Sequence, residues 1–179
     1  LMGNESSSIG QELNRRGLIP PNGEQVLSID QASSNFSGPG VSRLPLARGS
    51  SFDNFVMSAS LNPSVNGDDP GGCGLTFRET GENQYTLAYI DNSGAYGLSQ
   101  RRGDTFERGL YGQMEASTEA PYTLLIVAMG TRIDYFINNS HVGSITSPTV
   151  AGGIGYGVIN FGAVSTTCDF SRIWLWTWQ

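Results

Sequence analysis

Three tryptophans near the end of the chain, Trp174, Trp176 and Trp178, occupy alternate positions. In an unbroken strand they share one face, with Ile173 and Leu175 turned to the other. Indole and phenol rings stack on the apolar faces of sugar rings, so such a row suits a ligand platform. Packing has the stronger claim on the row, because an indole buries a large area when it turns inward or under the N-terminal segment. His141 is the only histidine. A nucleophilic site would have to be built on it, and no Ser or Cys nucleophile motif lies nearby, which leaves an exposed turn histidine. The acids do not form a pair at alternate positions on any candidate strand, the spacing that would place two carboxylates across a glycosidic bond. Asp68 and Asp69 in the loop Asn66-Gly67-Asp68-Asp69-Pro70-Gly71-Gly72 could offer oxygens to Ca²⁺. Calcium requires six to eight, and a solvated turn is the simpler reading. The two cysteines, Cys73 and Cys168, are too few for a zinc site and can make one disulfide or none.

The elements that must position these residues are strands. From Gln25 onward apolar residues recur with period two, and turn residues interrupt every eight to twelve positions. The spacing predicts strands over Gln25–Asp30, Phe55–Leu61, Gly74–Glu79, Tyr85–Asp91, Tyr96–Ser99, Thr123–Met129, Arg132–Ile137, His141–Ile145, Ile154–Phe161 and Asp169–Trp176. Asn138-Asn139 joins two of them as a tight hairpin, since Asn tolerates the left-handed region. Before them, Ser8 with Gln11 three residues on predicts the cap of a short helix carrying Ile9 and Leu13. Gly17 and Pro20-Pro21 stop it. The chain thus divides into a helical or linker segment, residues 1–23, and an all-β domain, residues 24–179. Ten strands without βαβ alternation mean an antiparallel sandwich or barrel. The expected core comprises Phe55, Met57, Leu75, Phe77, Leu87, Leu124, Ile126, Ile133, Tyr135, Ile154, Ile173 and Leu175.

Composition narrows the partners. The chain has 179 residues, the length of one domain, with 38% hydrophobic and 10% aromatic residues, enough for a core. All ten basic residues are Arg, and the net charge is −6. That balance offers neither a nucleic-acid backbone nor an anionic lipid surface a cationic face. No apolar run reaches the length of a membrane-spanning helix.

Cys73–Ser99 reads CGLTFRETGENQYTLAYIDNSGAYGLS. This resembles a pattern of concanavalin A-like (laminin G-like) jelly-roll modules, a superfamily that includes bacterial sugar-hydrolase-like modules: a Gly-apolar-x-Phe-Arg strand, a polar turn with Asn, a Tyr-rich strand, then Gly-x-Tyr-x-Leu. Tyr122–Ser144 and the closing strand Phe170–Trp174 continue the likeness over roughly residues 25–179. The resemblance implies a two-sheet antiparallel β-sandwich with one concave face that many relatives use for glycans. It nominates Arg78, Tyr85, Tyr89 and Tyr96, on the strands most like the family's binding sheet, as ligand contacts beside Trp174 and Trp176. It also sets the closing strand beside Phe55–Leu61, which brings Cys73 and Cys168 to one end of the sandwich and implies their disulfide. Some relatives bind Ca²⁺ at loop ends, which keeps Asp68 and Asp69 as candidate ligands, with no other cofactor expected. The Glu-x-Asp-x-x-Glu run of the catalytic glucanase relatives is missing from this sequence. The expectation is therefore a non-catalytic, extracytoplasmic carbohydrate-binding module within a larger bacterial protein. A sugar-hydrolase-like enzyme and a protein-protein adhesion or oligomerisation domain are its rivals.

Overall fold

The computed structural model describes residues 3–107, 109–116 and 118–178, with side chains from residue 8 onward. Leu1 and Met2, which open the expected helical segment, lie outside the described residues. One helix, α1 (Gly3–Arg15), precedes thirteen strands: β1 (Glu24–Ser37), β2 (Gly40–Pro45), β3 (Phe55–Asn66), β4 (Gly71–Gly81), β5 (Gln84–Asp91), β6 (Ala95–Arg102), β7 (Thr105–Phe106), β8 (Leu110–Gln113), β9 (Tyr122–Met129), β10 (Arg132–Ile137), β11 (Ser140–Thr146), β12 (Gly153–Asn160) and β13 (Ser165–Thr177). They form two antiparallel sheets, ordered β1-β13-β3-β9-β10-β11 and β2-β12-β4-β5-β6-β7, with β8 also on β6. This is a jelly-roll sandwich. The strands β2, β7 and β8 were not expected, because their short sequences carry no clean alternation.

The space between the sheets is filled by Phe55, Met57, Leu75, Phe77, Leu124, Ile126, Ile133, Tyr135, Ile154, Ile173 and Leu175. Leu87 is a correction: it is buried, but on the outer face of the seven-stranded sheet, among Tyr85, Tyr89 and Ile159. Alternation explains this, since its neighbours Ala88 and Ile90 are the residues of β5 that enter the core.

Two links cross the sandwich at opposite ends of β4. At one end Cys73 of β4 and Cys168 of β13 form the disulfide, with Cα atoms 5.6 Å apart. At the other, Arg78 adopts a positive φ of 54° and donates from Nη2 to the Gly130 carbonyl in the β9–β10 turn. The β4–β5 register shifts there, between Phe77 and Gly81. A second irregularity lies in β13, where the register against β3 shifts between Ser171 and Trp174 and Arg172 has a φ of 51°. This bulge lets both Phe170 and Ile173, three apart, face the core.

Helix α1 is longer than expected and starts before Ser8, so Ser8 is not its cap. Its end follows the sequence. Gly17, with φ 71°, donates to the Asn14 carbonyl and Leu18 to the Leu13 carbonyl, the paired bonds of a Schellman cap. Ile9 and Leu13, four apart, turn one face of the helix onto the six-stranded sheet, against Val56, Leu125, Val127 and Phe136. The hairpin between β10 and β11 has positive φ at both Asn138 and Asn139, as a two-residue turn requires.

Candidate functional site

The residues nominated from the sequence separate in space. Trp174 and Trp178 are buried beneath α1 on the outer face of the six-stranded sheet, and Trp176 packs with them. A Cβ on Gly10 would lie 1.8 Å from the Trp176 ring and one on Gly23 1.7 Å from its Nε1, so two glycines clasp this indole. The row of tryptophans is a correction to the platform expectation: it shares one face, as alternation requires, but that face is the helix's seat. Tyr96 is a second correction. It pairs with Ile90 across β5–β6 and turns into the sandwich, its ring edge-on to Tyr135 at 6.1 Å.

Tyr85 and Tyr89 do reach the outer face of the seven-stranded sheet. Glycines make room for Tyr89 there. One row across the sheet runs Arg43, Gly157, Gly74, Tyr89, Gly97, Tyr111. A Cβ on Gly97 would stand 2.5 Å from the Tyr89 ring, and one on Gly74 2.8 Å from Leu87 Cδ1. These positions are held small so that their neighbours can lean over them. The rings are themselves covered, Tyr85 being 6% and Tyr89 7% exposed. Phe106 meets Tyr85 edge-on at 6.2 Å, and Phe161 meets Tyr89 at 5.5 Å. The open aromatic surface on this side belongs instead to Tyr111, 52% exposed, and Phe161, 50% exposed.

Beside Tyr85 lies a cleft of about 400 Å³, lined by Gly40, Val41, Arg43, Glu82, Asn83, Tyr85 and Arg101. Arg43 stands over the Tyr85 ring with its Cζ 4.0 Å from the centroid. It is ion-paired to Glu79 at 3.0 Å and also donates to the Glu82 carbonyl. Arg101 lies over the Phe106 ring at 5.1 Å and donates from Nε to the Gly103 carbonyl at 2.7 Å. Burial pushes the Tyr85 hydroxyl up, and the nearby Arg43 and Arg101 only partly offset it. Tyr85 therefore remains a neutral hydrogen-bonding phenol at physiological pH. Two cations and an amide around a preformed cleft can hydrogen-bond the hydroxyls of a pyranose, with the Tyr85 ring holding Arg43 in place beneath.

Tyr85 and Arg101 are shared with a smaller pocket of about 160 Å³ at the end of the sandwich, where Arg78 lies. Of the nominated residues, then, the fold brings Arg78 and Tyr85 together, with Tyr89 on the same sheet. Arg43 and Arg101 escaped the sequence reading. Arg43 sits on β2, in a stretch without strand signal, and Arg101 lies beyond the expected end of its strand. A larger depression, about 500 Å³, lies on the other sheet between Gln31, Ser33, Asn62 and Asp169. It offers no cation, and its Phe170 faces the core.

The remaining candidates do no visible chemistry. His141 is half exposed and shares the Asp134 carboxylate with Arg132, at 2.9 Å and 2.7 Å. Asp134 lies nearly buried on the outer face of the six-stranded sheet; burial acts to raise its carboxyl, and the bonds from Arg132 and His141 outweigh burial and hold it below the ordinary value. Asp68 and Asp69 are exposed on the β3–β4 turn, and no cluster of three or more His, Cys, Asp or Glu side chains occurs among the described residues. Among the described residues no helix is long and apolar enough to cross a membrane.

Neither a family model nor a curated protein matches the sequence. Solved structures do match the fold. The carbohydrate binding module CBM66 from Bacillus subtilis superimposes with a TM-score of 0.60 at 16% identity, over 84% of this chain and 92% of that one. The β-glucanase of Bacillus licheniformis gives 0.53 at 11% identity, again over 84% and 92%. A fructosyltransferase from A. japonicus gives 0.55 at 16% identity, over 91% of this chain but 28% of that one. At these identities the likeness shows the fold alone, the two-sheet jelly-roll sandwich that the sequence pattern suggested.

Proposed function

We propose that this chain is a carbohydrate-binding module, acting without catalysis outside the reducing cytoplasm as part of a larger bacterial protein. The observation that carries the reading is the cleft on the seven-stranded sheet, where Arg43 and Arg101 flank Tyr85 beside Asn83. The fold supports it, since a carbohydrate binding module and a glucanase share the architecture over most of their length. The non-catalytic part is supported by the acids at the cleft, where Glu82 is the single carboxylate of the lining, with no second acid to pair with it. Glu79 is committed to Arg43. The inter-sheet disulfide supports an oxidising compartment.

The tryptophans lie on the opposite sheet, so intrinsic fluorescence is a poor reporter and calorimetry against a polysaccharide panel, with and without Ca²⁺, is the better screen. Saturable binding that is weakened in folded Arg43→Ala and Arg101→Ala proteins is expected. Binding unchanged in both variants would place the site elsewhere, and silence across the panel would remove the carbohydrate reading. A dependence on Ca²⁺ would assign a role to the Asp68–Asp69 turn.

A further inference from the structure

The pocket beside the cleft has a composition unlike the rest of the chain. Of ten arginines in a protein carrying a net charge of −6, three converge on it, Arg78, Arg101 and Arg102, and none of its lining residues is acidic. Its other walls are amide, hydroxyl and phenol groups, among them Gln100, Ser147, Thr149 and Tyr85. The outer two cations are already held in place. Arg102 pairs with Glu107 at 3.1 Å and donates to Gln100 Oε1 at 3.2 Å. Arg101 is fixed by the Gly103 carbonyl and the Phe106 ring.

Arg78 is different. It is 1% exposed, and only its Nη2 is used, on the Gly130 carbonyl. Its Nε and Nη1 find no hydrogen-bond partner among the described residues. Leaving two donors of a buried guanidinium unsatisfied is costly; Nε–H and Nη1–H diverge rather than form a fork, so an oxyanion in the pocket answers one of them and the charge of all three arginines. Burial lowers Arg78 to about 10, against a smaller opposing effect of Asp53, so it is still a cation at neutral pH. The pocket's volume, about 160 Å³, equals on the order of five waters and is room for one sugar unit. Because Tyr85 and Arg101 border both spaces, a saccharide in the cleft can place its end unit in the pocket.

We infer that this pocket receives the anionic group, carboxylate or sulfate, of an acidic sugar, so that the module selects acidic over neutral glycans. The inference rests on the carbohydrate reading above and specifies its ligand. Calorimetric or NMR titration tests it with D-glucuronate and D-galacturonate, each against its methyl ester, and with glucose 6-sulfate against glucose; these arms separate carboxylate from sulfate. Sodium acetate and sodium sulfate serve as anions without a sugar. At least one acid should bind about tenfold or more tightly than its uncharged partner, the scale of one charge-assisted hydrogen bond. The preference should shrink in high salt and be lost in Arg101→Gln, a rim change that leaves the cross-sheet bond intact. Arg78→Met should abolish it too, read on protein whose circular dichroism is native. Equal affinity for acid and ester would overturn the inference while leaving the carbohydrate reading standing. Acetate or sulfate binding as tightly as the sugar acids would also overturn the inference, since the pocket would then be a plain anion site, while the polysaccharide screen tests the carbohydrate reading separately. Failure of every probe, beside a positive polysaccharide screen, would overturn the acidic specificity alone.

Discussion

Replacing both half-cystines, as Cys73→Ala with Cys168→Ala, removes a crosslink that ties the two sheets together through the core. The bridged residues are 95 apart in sequence. In the chain-entropy account a closed loop of that length restricts the unfolded ensemble by about 4.7 kcal/mol at 25 °C. For a chain of 179 residues, unfolding entropy of about 2.1 cal/mol/K per residue gives about 0.38 kcal/mol/K. The expected fall in Tm is therefore about 12 °C. The denaturant m-value should rise as well, because the released unfolded chain exposes more surface. Scanning calorimetry and urea titration of wild type and double variant, each with and without reductant, read these quantities. Both half-cystines are fully buried, so reductant should affect the wild type only once it unfolds and the double variant not at all. A fall in Tm below about 3 °C with an unchanged m-value would refute the reasoning, since the bridge would then constrain nothing that native packing does not already hold.

Three further outcomes follow from particular contacts. Gly10→Ala drives a methyl into the Trp176 ring, and overpacking of about 1–3 kcal/mol should lower Tm by roughly 3–8 °C and red-shift tryptophan emission, while sugar affinity on the other sheet is unchanged. Tyr135→Phe removes the hydroxyl that donates to the Tyr89 carbonyl at 2.9 Å inside the core, and should cost about 1 kcal/mol, or roughly 3 °C, by thermal melt. Asp134 is held below its ordinary value in the fold, so its contribution is present above that value and lost as pH falls through the lower, folded one; Asp134→Asn should therefore reduce stability at pH 7 and flatten the acid limb of a stability-versus-pH curve.

Much of this architecture was legible because period-two patterning and turn residues are local signals. The closing strand, its pairing beside Phe55–Leu61 and the Cys73–Cys168 bridge emerged from a pattern of motifs in order. What alternation could not supply was which face of each sheet is covered. The tryptophan row was correctly placed on one face of β13, yet whether that face is open depends on α1, a helix over a hundred and fifty residues earlier whose landing site is a tertiary matter. Tyr96 shows the sensitivity of facing to turns: the residues between Asp91 and Ala95 set its parity against Tyr89, and a register that pairs it with Ile90 turns it inward. Arg78 departs from simple alternation because its positive φ redirects the side chain to the end of the sandwich. Arg43 was invisible as a site residue, since only the β2–β12 pairing carries it across to Tyr85.

A single ¹H–¹⁵N NMR spectrum can locate the binding face, because it contains both arginine Nε signals and the indole signals of the three tryptophans. The saccharide that scores best in the polysaccharide screen would be titrated as a short oligomer into the labelled protein. The Nε signals of Arg43 and Arg101 should move saturably, with the indoles of Trp174, Trp176 and Trp178 unmoved beneath α1. Indole signals that shift while both arginines stay still would put the ligand on the six-stranded sheet and contradict the account.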